Sequence, residues 1–189
     1  MARVYGIKKR LEKNNFDDEF IKEIIGNGDL IDITLRMEKL LDHDMMRQIL
    51  ESCGCLGGKE YLKQCEKVGK EMAGKALEEK LDTINNEDHD FYTMTLNDDN
   101  TLTIKMCFKG DGKYRCSCSA AVKNGVKVSD IALSDDRVMP LSYCFCCAGS
   151  SRLHLELKLG MKLKTKEIIS SPINSKGEKP CSFIFEIIE

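Results

Sequence analysis

No apolar run in this chain approaches the ~18 consecutive residues of a membrane-spanning helix, so none is expected. Nor is there a surplus of either charge. The formal net charge is −2, and no net field draws the protein to nucleic acid or to anionic lipid. The segment Met1 to Phe20 lacks the apolar core of an export signal, because Arg3, Lys8, Lys9, Arg10, Glu12, Lys13, Asp17, Asp18 and Glu19 are spread through it. The expected location is therefore the cytoplasm. No internal repeat is present. Gly57-Gly58-Lys59 is not a phosphate loop, because the leading glycine and the closing Ser/Thr are missing. Tryptophan is absent and prolines number only three; neither fact decides a function.

What is present is an ordinary globular composition, 42% hydrophobic and 32% charged, with enough length for one sizeable core. The apolar period is helical up to about residue 86 and shortens toward two after it. The expectation is an α+β fold in which a helical region (1–86) and an α+β region (87–189) share one core. The helical half packs against an antiparallel sheet that carries one long helix.

Asn15 or Asp17 can cap a helix bearing Phe20, Ile21, Ile24 and Ile25, stopped at Gly26-Asn27-Gly28. Asp29 opens a second helix with Leu30, Ile33, Met37, Leu40 and Leu41, and Asp42 a third with Met45, Met46, Ile49 and Leu50. Glu60 to Lys80 reads as one long helix whose inward face is Tyr61, Cys65, Val68, Met72 and Leu77, followed by an Asn85 to Asp88 linker. A hairpin is predicted from Phe91 to Phe108 across Asn97-Asp98-Asp99-Asn100. Tyr114 to Ser119 reads as a short strand and Ala120 to Pro140 as irregular. Ala148 to Leu159 reads as a helix, and Lys162 to Ile169 and Cys181 to Ile188 as closing strands. In the last strand Phe183, Phe185 and Ile187 alternate with Ile184 and Ile188, which suits a central strand or one covered by a partner.

Against this background the ten cysteines stand out. In a reducing compartment such a set favours metal ligation, catalysis or redox chemistry over structural disulfides. The spacing is specific: Cys53/Cys55, Cys116/Cys118 and Cys144/Cys146 are Cys-x-Cys pairs, the last extended by Cys147, while Cys65, Cys107 and Cys181 stand alone and read as core packing. Zinc favours four thiolates or imidazoles, usually from Cys-x₂₋₄-Cys pairs, and the one-residue gap here departs from that pattern. Thiolate clusters also suit copper(I) and iron–sulfur centres.

The Cys144-Phe145-Cys146-Cys147 segment is the sharpest feature. It falls at a helix N-terminus, where unpaired backbone N–H groups and the helix dipole favour a thiolate. Arg152 follows nearby, and His154 lies two turns beyond Cys147 on the same side. Such a Cys/His pair suits a metal or a nucleophile with its base, although a lone helix histidine also fits a structural role. The expected metal set is Cys53, Cys55, Cys144, Cys146, Cys147 and His154, with Cys116, Cys118 and Arg152 about a ligand. Neither cluster alone offers four good ligands, so Cys53 or Cys55 is expected beside Cys144, Cys146 or Cys147.

Two resemblances accompany these residues. Glu51-Ser52-Cys53-Gly54-Cys55-Leu56-Gly57-Gly58, Tyr143-Cys144-Phe145-Cys146-Cys147-Ala148-Gly149 and Lys179-Pro180-Cys181-Ser182-Phe183 together resemble an uncharacterised family of cysteine-rich bacterial proteins. The element order and the closing Gly177/Cys181/Phe183 spacing are similar to 4-vinyl reductase (hydrocarbon-binding) domains and to the aminothiazoline-carboxylate hydrolase group. The former implies a small-molecule sensor that often dimerises.

The leading expectation is a non-catalytic small-molecule or metal-binding module, with zinc the first candidate ion. One alternative is a thiol-dependent hydrolase-like enzyme using a cysteine of 144–147 with His154. Another is a structural zinc protein. Expected partners are a small molecule or metal ion and a second copy of the chain, with neither nucleic acid nor membrane.

Overall fold

Asp17, Asp29 and Asp42 each open a helix, as their spacing predicts. The Asp17 carboxylate accepts from the Phe20 N–H at 2.8 Å, Asp29 from Ile31 and Asp32 at 3.0 Å, and Asp42 from Met45 at 2.8 Å. Each bond satisfies a backbone donor that the first helical turn leaves unpaired. The computed structural model describes residues 2–87, 92–116, 122–123, 126–127, 132–134 and 136–188.

The helices of the first half are α1 (Ala2–Lys13), α2 (Asp18–Ile25), α3 (Leu30–Leu40), α4 (His43–Ser52), α5 (Lys59–Glu71) and α6 (Leu77–Glu87). Two differ from expectation. The periodicity of α1 is hidden by its charges, because its buried stripe is only Ile7, Leu11 and the guanidinium-bearing Arg3. The predicted long helix over Glu60 to Lys80 is two helices, broken by a turn at Met72-Ala73-Gly74. The Asn85-Asn86-Glu87 part of the expected linker belongs to α6, and Asn85 fastens that helix to the first strand.

Four antiparallel strands make the main sheet in the order β1 (Tyr92–Leu96), β2 (Thr101–Met106), β8 (Cys181–Ile188) and β7 (Lys162–Ser170). The predicted hairpin is β1–β2, in register from Tyr92↔Met106 to Leu96↔Leu102. β8 is indeed interior, flanked by β2 and β7. Its pairs Leu102↔Phe185, Ile104↔Phe183 and Met106↔Cys181 put those side chains on one face. That face is dry: Met94, Leu102, Ile104, Cys181, Phe183, Phe185 and Leu163 are all buried. The other face carries exposed Thr93, Thr95, Lys105 and Lys164.

Two small ladders complete the strands: β3 (Lys109–Gly110) with β4 (Lys113–Tyr114), and β5 (Val122–Lys123) with β6 (Val126–Lys127). The strand predicted over Tyr114 to Ser119 is therefore confined to its first residue, and Ser117 to Ser119 lie outside the described residues. β5 and β6 fall in the segment expected to be irregular.

A 3₁₀ turn (Leu141–Cys144) leads directly into α7 (Phe145–Leu159), three residues earlier than predicted. Gly160, in the left-handed conformation, ends α7. The helix packs against α4, α5 and β7, so it lies between the helical half and the sheet. The result is α+β, a helical N-terminal half set against an antiparallel sheet with a long helix at the junction. Ile7, Leu11, Ile24, Ile33, Met37, Ile49 and Leu50 from the helices join Leu102, Ile104, Phe183 and Phe185 in one hydrophobic cluster. Each such large side chain adds about 1.5–3 kcal/mol when fully buried.

Candidate functional site

The turn after α4 and the start of α7 meet, and their main chains approach closely. A Cβ added to Gly54 would stand 2.9 Å from the Cys146 carbonyl oxygen and 3.0 Å from the Ser150 nitrogen, and one added to Gly149 would stand 2.7 Å from the Glu51 Cα. Only glycine allows two main chains this close. The Ser150 hydroxyl donates to the Cys55 carbonyl, which locks the two segments together.

The thiols of the turn face α1. Cys53 Sγ lies 3.8 Å from where a Cβ on Gly6 would be, and Arg3 donates to both the Cys53 carbonyl and, at 3.6 Å, the Cys55 sulfur. Burial raises the pKa of Cys53, against the opposing charges of Arg3 and Arg10.

A second group of thiols gathers inside the protein. Cys144 ends the 3₁₀ turn, Cys146 and Cys147 occupy the first turn of α7, Cys181 opens β8, and Cys116 follows β4. Cys144, Cys146 and Cys181 are each 1% exposed. The Cys146 and Cys147 sulfurs are 4.0 Å apart. The Ser151 hydroxyl, one turn beyond Cys147, reaches the Met106 sulfur at 3.7 Å, and Met106 is the register partner of Cys181. That contact brings α7 onto the Cys181 end of the sheet. A hydrogen bond to Cys116, then burial, then the neighbouring Cys144 and Cys146, raise the Cys181 pKa well above the ordinary thiol value. Cys181 is therefore a protonated thiol, and the thiolate is the nucleophilic form.

Cys53 and Cys55 turn toward α1, while Cys144, Cys146 and Cys147 are buried with Cys116 and Cys181. Sequence reasoning set Cys181 aside as packing, because its closeness to Cys116 comes from tertiary contacts with no local signal. Cys118 lies outside the described residues. Among the described residues, no three His, Cys, Asp or Glu side chains form a group able to hold a metal ion.

His154 reaches back to the turn before α5. Its ring bonds the Leu56 carbonyl at 3.1 Å and meets the Tyr61 ring edge-on at 4.7 Å between centroids. Burial lowers its pKa, while the Leu56 carbonyl pulls the other way. The sequence placed His154 and Cys147 on one side of α7, but the hydrogen bond of the imidazole ties α7 to the turn before α5.

Arg152 points elsewhere again. It donates to the Leu163 carbonyl at 3.3 Å and pairs with Glu51 at 3.3 Å. With Arg47, Gln48, Ser52 and Lys164 these residues line a polar cleft of about 370 Å³.

A different cleft, of about 380 Å³, opens at the N-terminal end of α7. Leu41, Met46, Leu141, Phe145 and Ile168 give it an apolar lining, and Glu38, His43, Ser142, Lys166 and Glu167 supply polar groups. Ser142 donates to Glu38 at 2.7 Å, and the His43 ring stands edge-on to Phe145 with centroids 5.4 Å apart. No local residue pattern announces it, because its walls come from α3, α4, the 3₁₀ turn, α7 and β7.

No described helix is long and apolar enough to cross a membrane. No family profile matches the chain, and neither a curated protein nor a solved structure shows significant similarity to it.

Proposed function

We propose that this protein is a non-catalytic small-molecule-binding module whose ligand occupies the cleft over Phe145. The observation that carries this reading is the composition of that cleft. Its volume, about 380 Å³, falls in the range of small-ligand sites, and a mostly apolar wall with a few placed polar groups is their usual chemistry. The ligand that suits it is a compact amphipathic molecule. Its apolar body would lie on Leu41, Met46, Phe145 and Ile168, and its polar groups would meet Glu38, His43 or Lys166. Cys144 and Cys146, on either side of Phe145, belong to the packed layer behind this wall.

Burial of the thiols supports binding over catalysis, because a nucleophile needs access and a lowered pKa. The engagement of His154 by Leu56 and Tyr61 argues the same way.

The test is extraction of low-mass compounds from natively purified protein, read by mass spectrometry, beside the cleft-filling variant Ser142→Trp. A compound present near one per chain in the native protein and missing from Ser142→Trp is expected. Equal recovery from a folded Ser142→Trp would place the ligand elsewhere.

A second reading is a metal-binding one: Cys116, Cys144 and Cys146 are the neighbours of Cys181, and these thiols would have to draw closer together to hold a soft ion such as zinc or copper(I), since as placed they form no group able to hold a metal. Elemental analysis of protein purified anaerobically, without an affinity metal, tests it. A stoichiometric ion lost in Cys181→Ser is the expected result; metal-free protein with an unchanged fold would end it.

A further inference from the structure

The polar cleft between α4, α7 and β7 has a chemistry different from that of the cleft over Phe145. Its lining combines three cations, Arg47, Arg152 and Lys164, with one carboxylate, Glu51, beside the neutral Gln48 and Ser52. The two arginines come from different helices and are fixed on one strand. Arg47 donates to the Thr165 carbonyl at 3.2 Å, and Arg152 to the Leu163 carbonyl at 3.3 Å. These anchors hold the guanidinium groups on β7 before any ligand arrives, which lowers the ordering cost of binding.

The remaining partners of these cations differ in how firmly they are held. Asp44 meets Arg47 at 2.9 Å but is 75% exposed. Glu186 meets Lys164 at 3.9 Å, with side chains 43% and 52% exposed. Exposed pairs of this kind contribute little and exchange readily with a competing anion. Only Glu51, 11% exposed and 3.3 Å from Arg152, is a sheltered counter-charge. A guanidinium has five N–H donors in a fixed fork, and the protein contacts named here occupy two on each arginine. The Oε1 of Glu51 is buried without a hydrogen-bond partner.

We propose that this cleft binds the carboxylate or phosphate group of a small molecule, held by Arg47, Arg152 and Lys164. Arginine forks match the paired oxygens of either group, and Lys164 adds a flexible charge at the rim. Glu51 holds Arg152 in place and favours ligands that carry a hydrogen-bond donor beside the anion. The site stands apart from the cleft over Phe145, so it survives if that reading fails.

The experiment is a titration of the full-length protein at low ionic strength with inorganic phosphate, acetate or chloride. It follows the side-chain Nε–H resonances of Arg47 and Arg152. Saturable movement of both resonances with phosphate or acetate, and not with chloride, is expected. Arg152→Gln should weaken the binding roughly tenfold. Lys164→Gln, at an exposed strand position that tolerates change, should weaken it about threefold, so the test stands even if Arg152→Gln fails to fold. Response to acetate alone would assign a carboxylate, and response to phosphate alone a phosphate. Movement that merely follows ionic strength, or equal affinity in wild type and Lys164→Gln, would overturn the proposal.

Discussion

The Asn85 side chain closes on both backbone groups of Met94. Its carbonyl accepts the Met94 N–H at 2.8 Å and its amide donates to the Met94 carbonyl at 2.9 Å. One side chain thus completes the backbone pairing of a strand with the end of a helix. Asn85→Ala should cost about 1–3 kcal/mol, because it strips partners from half-buried backbone groups. Urea unfolding should show it, and hydrogen exchange should quicken first at Met94. An unchanged midpoint would mean that water replaces both bonds.

Gly149 has no room for a side chain, since its Cβ would stand 2.7 Å from both the Cα and the carbonyl oxygen of Glu51. Gly149→Ala must push α4 and α7 apart, at a cost of about 1–3 kcal/mol. Ser150→Ala, one residue on, removes only the bond to the Cys55 carbonyl and should cost about 1 kcal/mol. A Gly149→Ala protein as stable as wild type would contradict the close crossing.

Phe185 is fully buried between β2 and β7. Phe185→Ala should lower stability by about 3–5 kcal/mol. Because one cluster joins the helices to the sheet, calorimetry should show a single transition displaced to lower temperature. Two transitions, with helical signal lost separately, would refute a shared core.

Acid should weaken the protein at His154. Burial lowers the pKa of its imidazole in the fold, so below about 6.5, the ordinary histidine value, the unfolded chain binds the extra proton more readily. The stability held by the neutral ring is present above that value and is lost as pH falls toward the lowered one. Stability curves of wild type and His154→Gln, measured between pH 8 and 5, should therefore converge on acidification. Parallel curves would show that His154 contributes nothing to the acid sensitivity.

The thiols should react in two classes. Cys53, Cys55 and Cys107 are half-buried, whereas Cys65, Cys116, Cys144, Cys146, Cys147 and Cys181 are buried. Brief alkylation of native protein followed by peptide mapping should label the first class. The second should be labelled only after denaturation, because burial blocks access to the sulfur. Fast labelling of Cys144 or Cys146 would place that segment at the surface.

Much of this architecture was legible because its signals are local. The capping aspartates sit one to three residues before an apolar stripe, and the alternation from Cys181 to Ile188 marks an interior strand without reference to the rest of the chain. What was hidden depends on tertiary contact. Helix α1 buries so few side chains that charge masks its period. The predicted helix through Met72 overlooked the breaking turn at Gly74. Arg47 reads as one more charged residue on α4, yet its acceptor is a carbonyl 118 positions away. Cys116 and Cys181 come together only because the β3–β4 ladder folds back toward the start of β8, where Tyr114 donates to the Gly177 carbonyl at 2.9 Å.

The irregular pairing of β7 has a consequence for how the sheet ends. Its register with β8 slips twice, between Thr165 and Glu167 and between Ile168 and Ser170. Lys162, Lys164 and Lys166 stand along its exposed positions. A strand from a neighbouring molecule laid along this margin would meet interrupted donor and acceptor spacing and a row of ammonium charges. Both discourage edge-to-edge polymerisation. The β7 margin is thus a guarded boundary, and any extension of the ladder by an added strand would have to begin at β1.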